Sequence, residues 1–132
     1  MTRTKIGIAV VKHEGKFLVG TRGPDGPLPG FSEFPGGKCH PDEAPADCAR
    51  RECFEETGLE VDAVELLHNQ QHDYPDVAVD LFFWRCVPRD PRQIAADHNG
   101  YRWLPAAELL RLTFPAGNVA VIAMLGCRLT SP

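Results

Sequence analysis

The sequence predicts an α/β domain in which helices are layered on a mixed β-sheet. Three observations lead there. Apolar, β-branched runs at residues 4–11 and 16–22 flank a short turn, which is a hairpin pattern. A single helix-forming segment follows that pair. A second pair of strand-like runs comes next, and helical segments close the chain, so both element types must share one core. At 132 residues, a single domain spanning 1–132 is expected, long enough to bury a sizeable core unaided.

Residues 4–11, TKIGIAVV, read as a buried strand, His13-Glu14-Gly15-Lys16 as a turn and residues 16–22 as its partner strand. GPDGPLPGFSEF, at 23–34, is rich in Gly and Pro and reads as a loop leading into Phe34-Pro35-Gly36-Gly37. A helix is expected from Ala44 or Pro45 to Thr57, with Asp42 capping its start, Pro45 in its first turn and Gly58 stopping it. Ala46, Ala49 and Cys53 are its expected inward stripe. Residues 61–74 carry a strand, Pro75-Asp76 a turn, and VAVDLFFWRCV at 77–87 the most strand-like run of all. Residues 88–100 read as a loop and 101–104 as a short strand. Helices are expected from Pro105 to about Leu112 and from about Ala116 to Leu125, followed by a frayed tail, CRLTSP.

Charge and cysteine content narrow the function classes. The net charge of −4 speaks against a binder of polymeric nucleic acid, which would carry a basic patch. It leaves room for a nucleotide substrate, because a bound metal supplies positive charge locally. The cysteine count is odd, five, without CxxC spacing, which fits neither a disulfide framework nor a zinc site. Reduced thiols in a cytoplasmic protein are expected. The N-terminus lacks a signal-peptide pattern, and no apolar stretch has the length of a membrane span.

The chemistry concentrates in GGKCHPDEAPADCARRECFEETGL, residues 36–59. On a helix, positions i, i+3 and i+4 share a face, so Glu52, Glu55 and Glu56 project their carboxylates one way. Like charges so placed repel by a few tenths of a kcal/mol per pair at a surface, roughly. A hard cation such as Mg²⁺ turns that cost into a use, since it takes oxygen ligands from carboxylates, waters and phosphates. Arg51 can lock one carboxylate by a forked hydrogen bond, and Glu43 can join by folding back across the loop. An acidic, solvated helix face is the plainer alternative for a bare ExxEE.

From Gly37 the pattern runs Gly, five residues, Glu43, seven residues, Arg51-Glu52, Cys53, one residue, Glu55-Glu56, one residue, Gly58-Leu59. This resembles the signature of the Nudix hydrolases, GX5EX7REUXEEXGU, at all nine defined positions save that Cys53 stands where a bulky aliphatic residue is usual. The resemblance implies an α/β/α sandwich, the Nudix fold, and hydrolysis of a phosphoanhydride in a nucleoside diphosphate linked to another group. It implies Mg²⁺ as cofactor, with Mn²⁺ a substitute ion. Glu52 and Glu56 are the first expected ligands and Glu55 the next, with Glu43 binding directly or through water and a backbone carbonyl from Gly36 or Gly37. Glu52 is the expected general base by the same resemblance, with a base outside the motif as the alternative; Glu55 and Arg51 complete the expected catalytic set.

The likeness extends beyond this box. SEFPGGK at 32–38, HDYPD at 72–76, DLFFW at 80–84 and FPAGNVAVIAML at 114–125 resemble the bacterial MutT-type members, which convert 8-oxo-dGTP to the monophosphate and pyrophosphate. That implies Asn118 as a reader of the purine edge, since its amide offers a donor and an acceptor together, and Phe34 near the base. Arg22 and Lys38 flank the loop and are expected at phosphates. Two positions depart from the MutT pattern: Val77, where a basic residue is usual, and Arg102, where an acid is. His68 and His72 are expected to be satisfied or exposed rather than functional. The alternatives are a Nudix hydrolase of another nucleotide, NDP-sugar or dinucleoside polyphosphate, and a nucleotide-sensing module.

Overall fold

The computed structural model describes residues 2–95 and 98–130, with side chains at 94, 95 and 127–130 left aside. Its centre is β1 (Thr4–His13). The two residues after it, Glu14 and Gly15, both have positive φ, 49° and 77°. That is the twist a two-residue hairpin turn requires, and it returns the chain as β2 (Lys16–Thr21). The expected hairpin forms, but it pairs only at Lys12↔Phe17 and His13↔Lys16. The rest of β1 is engaged elsewhere. It runs parallel to β6 (Ala78–Pro88) from Thr4↔Val79 to Val11↔Cys86, and antiparallel to the short β4 (Gly36–Lys38) at Ile6, Gly7 and Ile8.

The segment read as a plain loop at 23–34 contains a short strand, β3 (Ser32–Glu33), against Gly20 and Thr21 of β2. β5 (Val61–Asp73) pairs antiparallel with β6 as expected, with two register shifts. β7 (Arg102–Pro105) pairs with β2. The mixed sheet runs β3-β2-β1-β6-β5, with β4 on β1 and β7 on β2.

Successive residues of a strand face opposite sides, and β1 shows it. Ile8 and Val10 join one buried cluster with Phe83, Leu109, Val121 and Leu125. Ala9 and Val11 join the other, with Ala49, Cys53, Leu59 and Cys86. The first lies under α2 (Ala106–Leu109) and α3 (Val119–Thr130), the second under α1 (Pro45–Thr57). This α/β/α layering is the sandwich the resemblance implied. The expected helix from Pro105 to about Leu112 is only one turn. The last helix starts behind a 3₁₀ turn, Ala116–Asn118, and continues to Thr130, through most of the tail expected to fray; 131–132 lie outside the described residues. Residues 88–100 hold another 3₁₀ turn, Pro91–Ala95.

Two local expectations for α1 are corrected. Asp42 does not cap it. The cap position is Ala44, with φ −68° and ψ 144° and no side-chain bond, because a residue before proline is pushed out of the helical region. The buried stripe is Cys48, Ala49, Cys53 and Thr57, and Ala46 is only half-buried. Helix and sheet meet tightly at Gly7, where an added Cβ would lie 2.8 Å from the Ala49 nitrogen and from Cys48. That backbone contact cannot yield, so Gly7→Ala is expected to cost about 1–3 kcal/mol. Gly23→Ala has no neighbour within 4 Å and is expected to leave the denaturation midpoint nearly unchanged. Equal midpoints for the two variants would contradict this packing.

Candidate active site

The acidic face of α1 lies against β4. Arg51 organises it. Its Nε and one terminal nitrogen grip Glu43 at 2.7 and 2.9 Å. Its other terminal nitrogen donates to Glu52 at 2.9 Å and to both Glu55 oxygens at 3.0 and 3.2 Å. The Lys38 carbonyl accepts at 3.1 Å. One guanidinium thus ties the loop before α1, the helix and the end of β4 together, using the fork geometry that lysine lacks. The charge-assisted bond from Arg51 holds the Glu43 carboxyl down to about 2, and the carboxylates in turn push Arg51 further up, so it stays charged.

Glu56 stands outside that grip. Its Oε2 accepts the Gly36 N–H at 2.9 Å and lies 3.4 Å from the Tyr101 hydroxyl. Burial is the main cause that pushes its carboxyl up to about 7, and the Glu52 and Glu33 carboxylates add to it. Gly37 packs directly on Glu52: a Cβ there would meet that carboxylate at 2.5 Å. Glycine at 37 is therefore a requirement of the close approach of β4 to the helix acids.

The far side of β4 faces a cavity of about 690 Å³. Gly36, Gly37, Lys38, Glu33, Phe34, Arg22 and Asn118 are among the residues that line it. Phe34 is buried against Phe114, ring centroids 5.0 Å apart. Arg22 donates from Nε to the Pro27 carbonyl at 2.9 Å, bracing the wall. The Asn118 side chain donates to the Pro115 carbonyl at 3.3 Å. Its turn is pinned by the Tyr74 hydroxyl, which accepts the Gly117 N–H at 2.9 Å.

The expected residues are thus brought together in two groups on either side of one short strand. Glu43 and Glu55 are engaged by Arg51, and the Gly37 carbonyl accepts the Cys48 S–H at 3.3 Å. Among the described residues, no three acidic, His or Cys side chains converge as a metal-binding group. Mg²⁺ asks for less: it is commonly held by one or two carboxylates, with waters and substrate phosphates completing the shell. Glu52 and Glu56, one helical turn apart beside a side-chain-free glycine pair, suit that demand, and Glu56 is a half-buried acid without a cationic partner among the described residues. Of the departures, Val77 lines the cavity, whereas Arg102 is exposed on β7 and does not. His68 is satisfied by Gln70 at 2.9 Å, and His72 packs on Tyr74. Glu33 and Tyr101 were missed; Glu33 lies beside Phe34 in the motif stretch, but no spacing rule points to Tyr101.

In the absence of metal, Glu56 gives stability a pH dependence. Its folded value of about 7 exceeds the ordinary 4.5, so between those limits the folded state holds a proton that the unfolded state releases. Stability then falls as pH rises through that window and levels off above it. Glu56→Gln is expected to remove the fall, read as denaturation midpoints in chelator between about pH 5 and pH 8. A variant that keeps the wild-type slope would assign the titration to another group.

Comparison with known proteins agrees with this fold. A family model described as the NUDIX domain matches residues 1–125. The chain is 26% identical to an 8-oxo-dGTP diphosphatase of Escherichia coli K12, covering 95% of this chain and 98% of that one. It is 25% identical to a CTP pyrophosphohydrolase of the same organism, covering 100% and 98%. The crystal structure of a MutT protein from Methanosarcina mazei Go1 superposes with a TM-score of 0.79 over 98% of this chain and 96% of that one, at 21% identity.

Proposed function

The chain belongs to the NUDIX family and is a Nudix hydrolase, and on that footing we propose that it cleaves a nucleoside triphosphate to the monophosphate and pyrophosphate, with 8-oxo-dGTP as the preferred substrate. The role is to keep oxidised guanine nucleotide out of the cytoplasmic pool, consistent with four free thiols among the described residues. One observation carries the reading: β4 is both a wall of the 690 Å³ cavity and the strand on which Glu52 and Glu56 rest. A nucleotide with its base by Phe34 and Asn118 and its phosphates along β4 brings a phosphoanhydride to the acids.

Each residue has a role in this reading. Glu52 and Glu56 hold a Mg²⁺ ion, which Mn²⁺ can replace, with Glu55 and Glu43 behind them and the carbonyl of Gly36 or Gly37 as a further oxygen. When bound, such an ion neutralises phosphate oxygens and lowers the pKa of a coordinated water. Glu52 accepts the proton of the attacking water. Arg51 keeps Glu52 and Glu55 oriented. Lys38 and Arg22 take phosphate oxygens. Asn118 spends one amide hydrogen on Pro115, which leaves a second N–H and the Oδ1 for a base edge. Guanine offers two acceptors, N7 and O6, on that edge. Oxidation at C8 places a hydrogen on N7, so the edge becomes donor plus acceptor and matches the amide.

CTP is the second reading, favoured by the relative of that name and by Val77 in the cavity wall, which removes a cation from the base end. A panel of 8-oxo-dGTP, dGTP and CTP with Mg²⁺ separates the two. The expected result is pyrophosphate release with kcat/KM at least ~10-fold higher for 8-oxo-dGTP, about 1.4 kcal/mol of discrimination. A preference for CTP would move the assignment to the second reading. Glu52→Gln is expected to lose a factor of about 10²–10⁴ in kcat, and a variant keeping over half the wild-type rate would remove Glu52 from the role of base.

A further inference from the structure

Tyr101 is placed with unusual care for a residue outside the acidic motif. The chain turns sharply at Asn99 and Gly100, both at positive φ, 58° and 87°. This turn docks on the last turn of α1. The Asn99 side chain donates to the Glu56 carbonyl at 3.1 Å, and His98 Nδ1 donates to the Thr57 carbonyl at 3.3 Å. Those are carbonyls a helix end leaves without intrahelical partners. Capping them carries the next residue, Tyr101, over the acidic face. Its ring lies on Gly20 of β2, where a Cβ would come within 2.7 Å of it. Gly20 is paired with Glu33 of β3, so the strand pair that receives the ring also delivers an acid. The hydroxyl ends 3.4 Å from Glu56 and 3.5 Å from Glu33.

Both distances exceed the usual 2.7–2.8 Å or so of an O–H···O bond. A phenol has one hydrogen to give, so here it sits between two acceptors rather than committed to one. On Glu56 it shares Oε2 with the Gly36 N–H, and Oε1 takes no hydrogen bond among the described residues. The Gly36 N–H on β4 thus holds that oxygen, the phenol just before β7 stands beside it, and the other oxygen is left for a ligand.

We propose that Tyr101 is a positioning residue for the cation-binding acids: its hydroxyl orients Glu56 and couples Glu33, an acid from outside the helix, to the same cluster. This rests on the cation-site reading given above. Outer partners of metal ligands are worth about 10–100-fold in metal affinity, and the Gly20 contact shows that the fold makes room for this one.

The test is Mn²⁺ binding to the nucleotide-free protein, followed by titration calorimetry or paramagnetic resonance. Tyr101→Phe keeps the ring and loses the hydroxyl. It is expected to weaken Mn²⁺ binding about 10-fold and to raise the Mg²⁺ needed for half-maximal hydrolysis by the same factor, with KM for nucleotide unchanged at saturating cation. Glu33→Gln is expected to weaken binding too, and the double variant to be no weaker than the worse single one, as for residues acting through one network. Glu33→Gln leaves the ring packing alone and carries the test if Tyr101→Phe loses its fold. Binding within twofold of the parent in both single variants, or losses that multiply in the double variant, would overturn the proposal. Glu52→Gln is the control. If it binds Mn²⁺ as tightly as the parent, the cation site itself is misplaced; if it alone loses binding, only the role of Tyr101 fails.

Discussion

The grip of Arg51 on three carboxylates is the interaction on which the rest depends. Glu52 and Glu55 occupy one face of α1, and Glu43 folds back from the preceding loop. Without a compensating charge that arrangement would be repulsive. Exposed ion pairs contribute roughly 0–1 kcal/mol, and most pairs on this protein's surface are of that kind. The Arg51–Glu43 pair differs: it is bidentate, and its side chains are only 24% and 14% exposed. Charge-assisted bonds shielded to this degree are about twice as strong as neutral ones, so this pair outweighs the repulsion around it.

The same arrangement sorts the acids into two kinds. Glu43 is compensated and stays ionised far into acid. Glu56 is not; only neutral donors reach it, and burial keeps its proton on until near neutrality. Environments that separate the behaviour of neighbouring carboxyls mark sites where charge is to be handled. Glycine at 36 and 37 makes the separation useful, because it lets the wall of the nucleotide-sized cavity touch the acids directly. Groups on a helix and a strand of the main sheet are also held more rigidly than groups on loops.

Much of this was legible in the residues themselves. The span of α1, its stop at Gly58, the common direction of its glutamates and the β5–β6 pairing follow from local periodicity and turn chemistry. What escaped was set by partners distant in sequence. β4 is three residues long and exists because β1 offers it an edge. The hairpin of β1 and β2 is short because β4 takes up that edge at Ile6–Ile8, while β6 pairs in parallel along the other edge, a crossover no local pattern announces. Asp42 looked like a cap, but the restriction that Pro45 places on Ala44 decided the matter. Tyr101 and Glu33 meet only after β7, β3 and the helix end assemble, so neither stood out in the chain.

The most direct measurement is a crystal structure with Mn²⁺ and a non-hydrolysable nucleoside triphosphate analogue, the metal located by anomalous scattering. The expected result is an ion about 2 Å from carboxylate oxygens of Glu52 and Glu56, with nucleotide phosphates beside β4 and Arg51 still on Glu43. A metal bound elsewhere, with both of those carboxylates facing only solvent, would contradict the account.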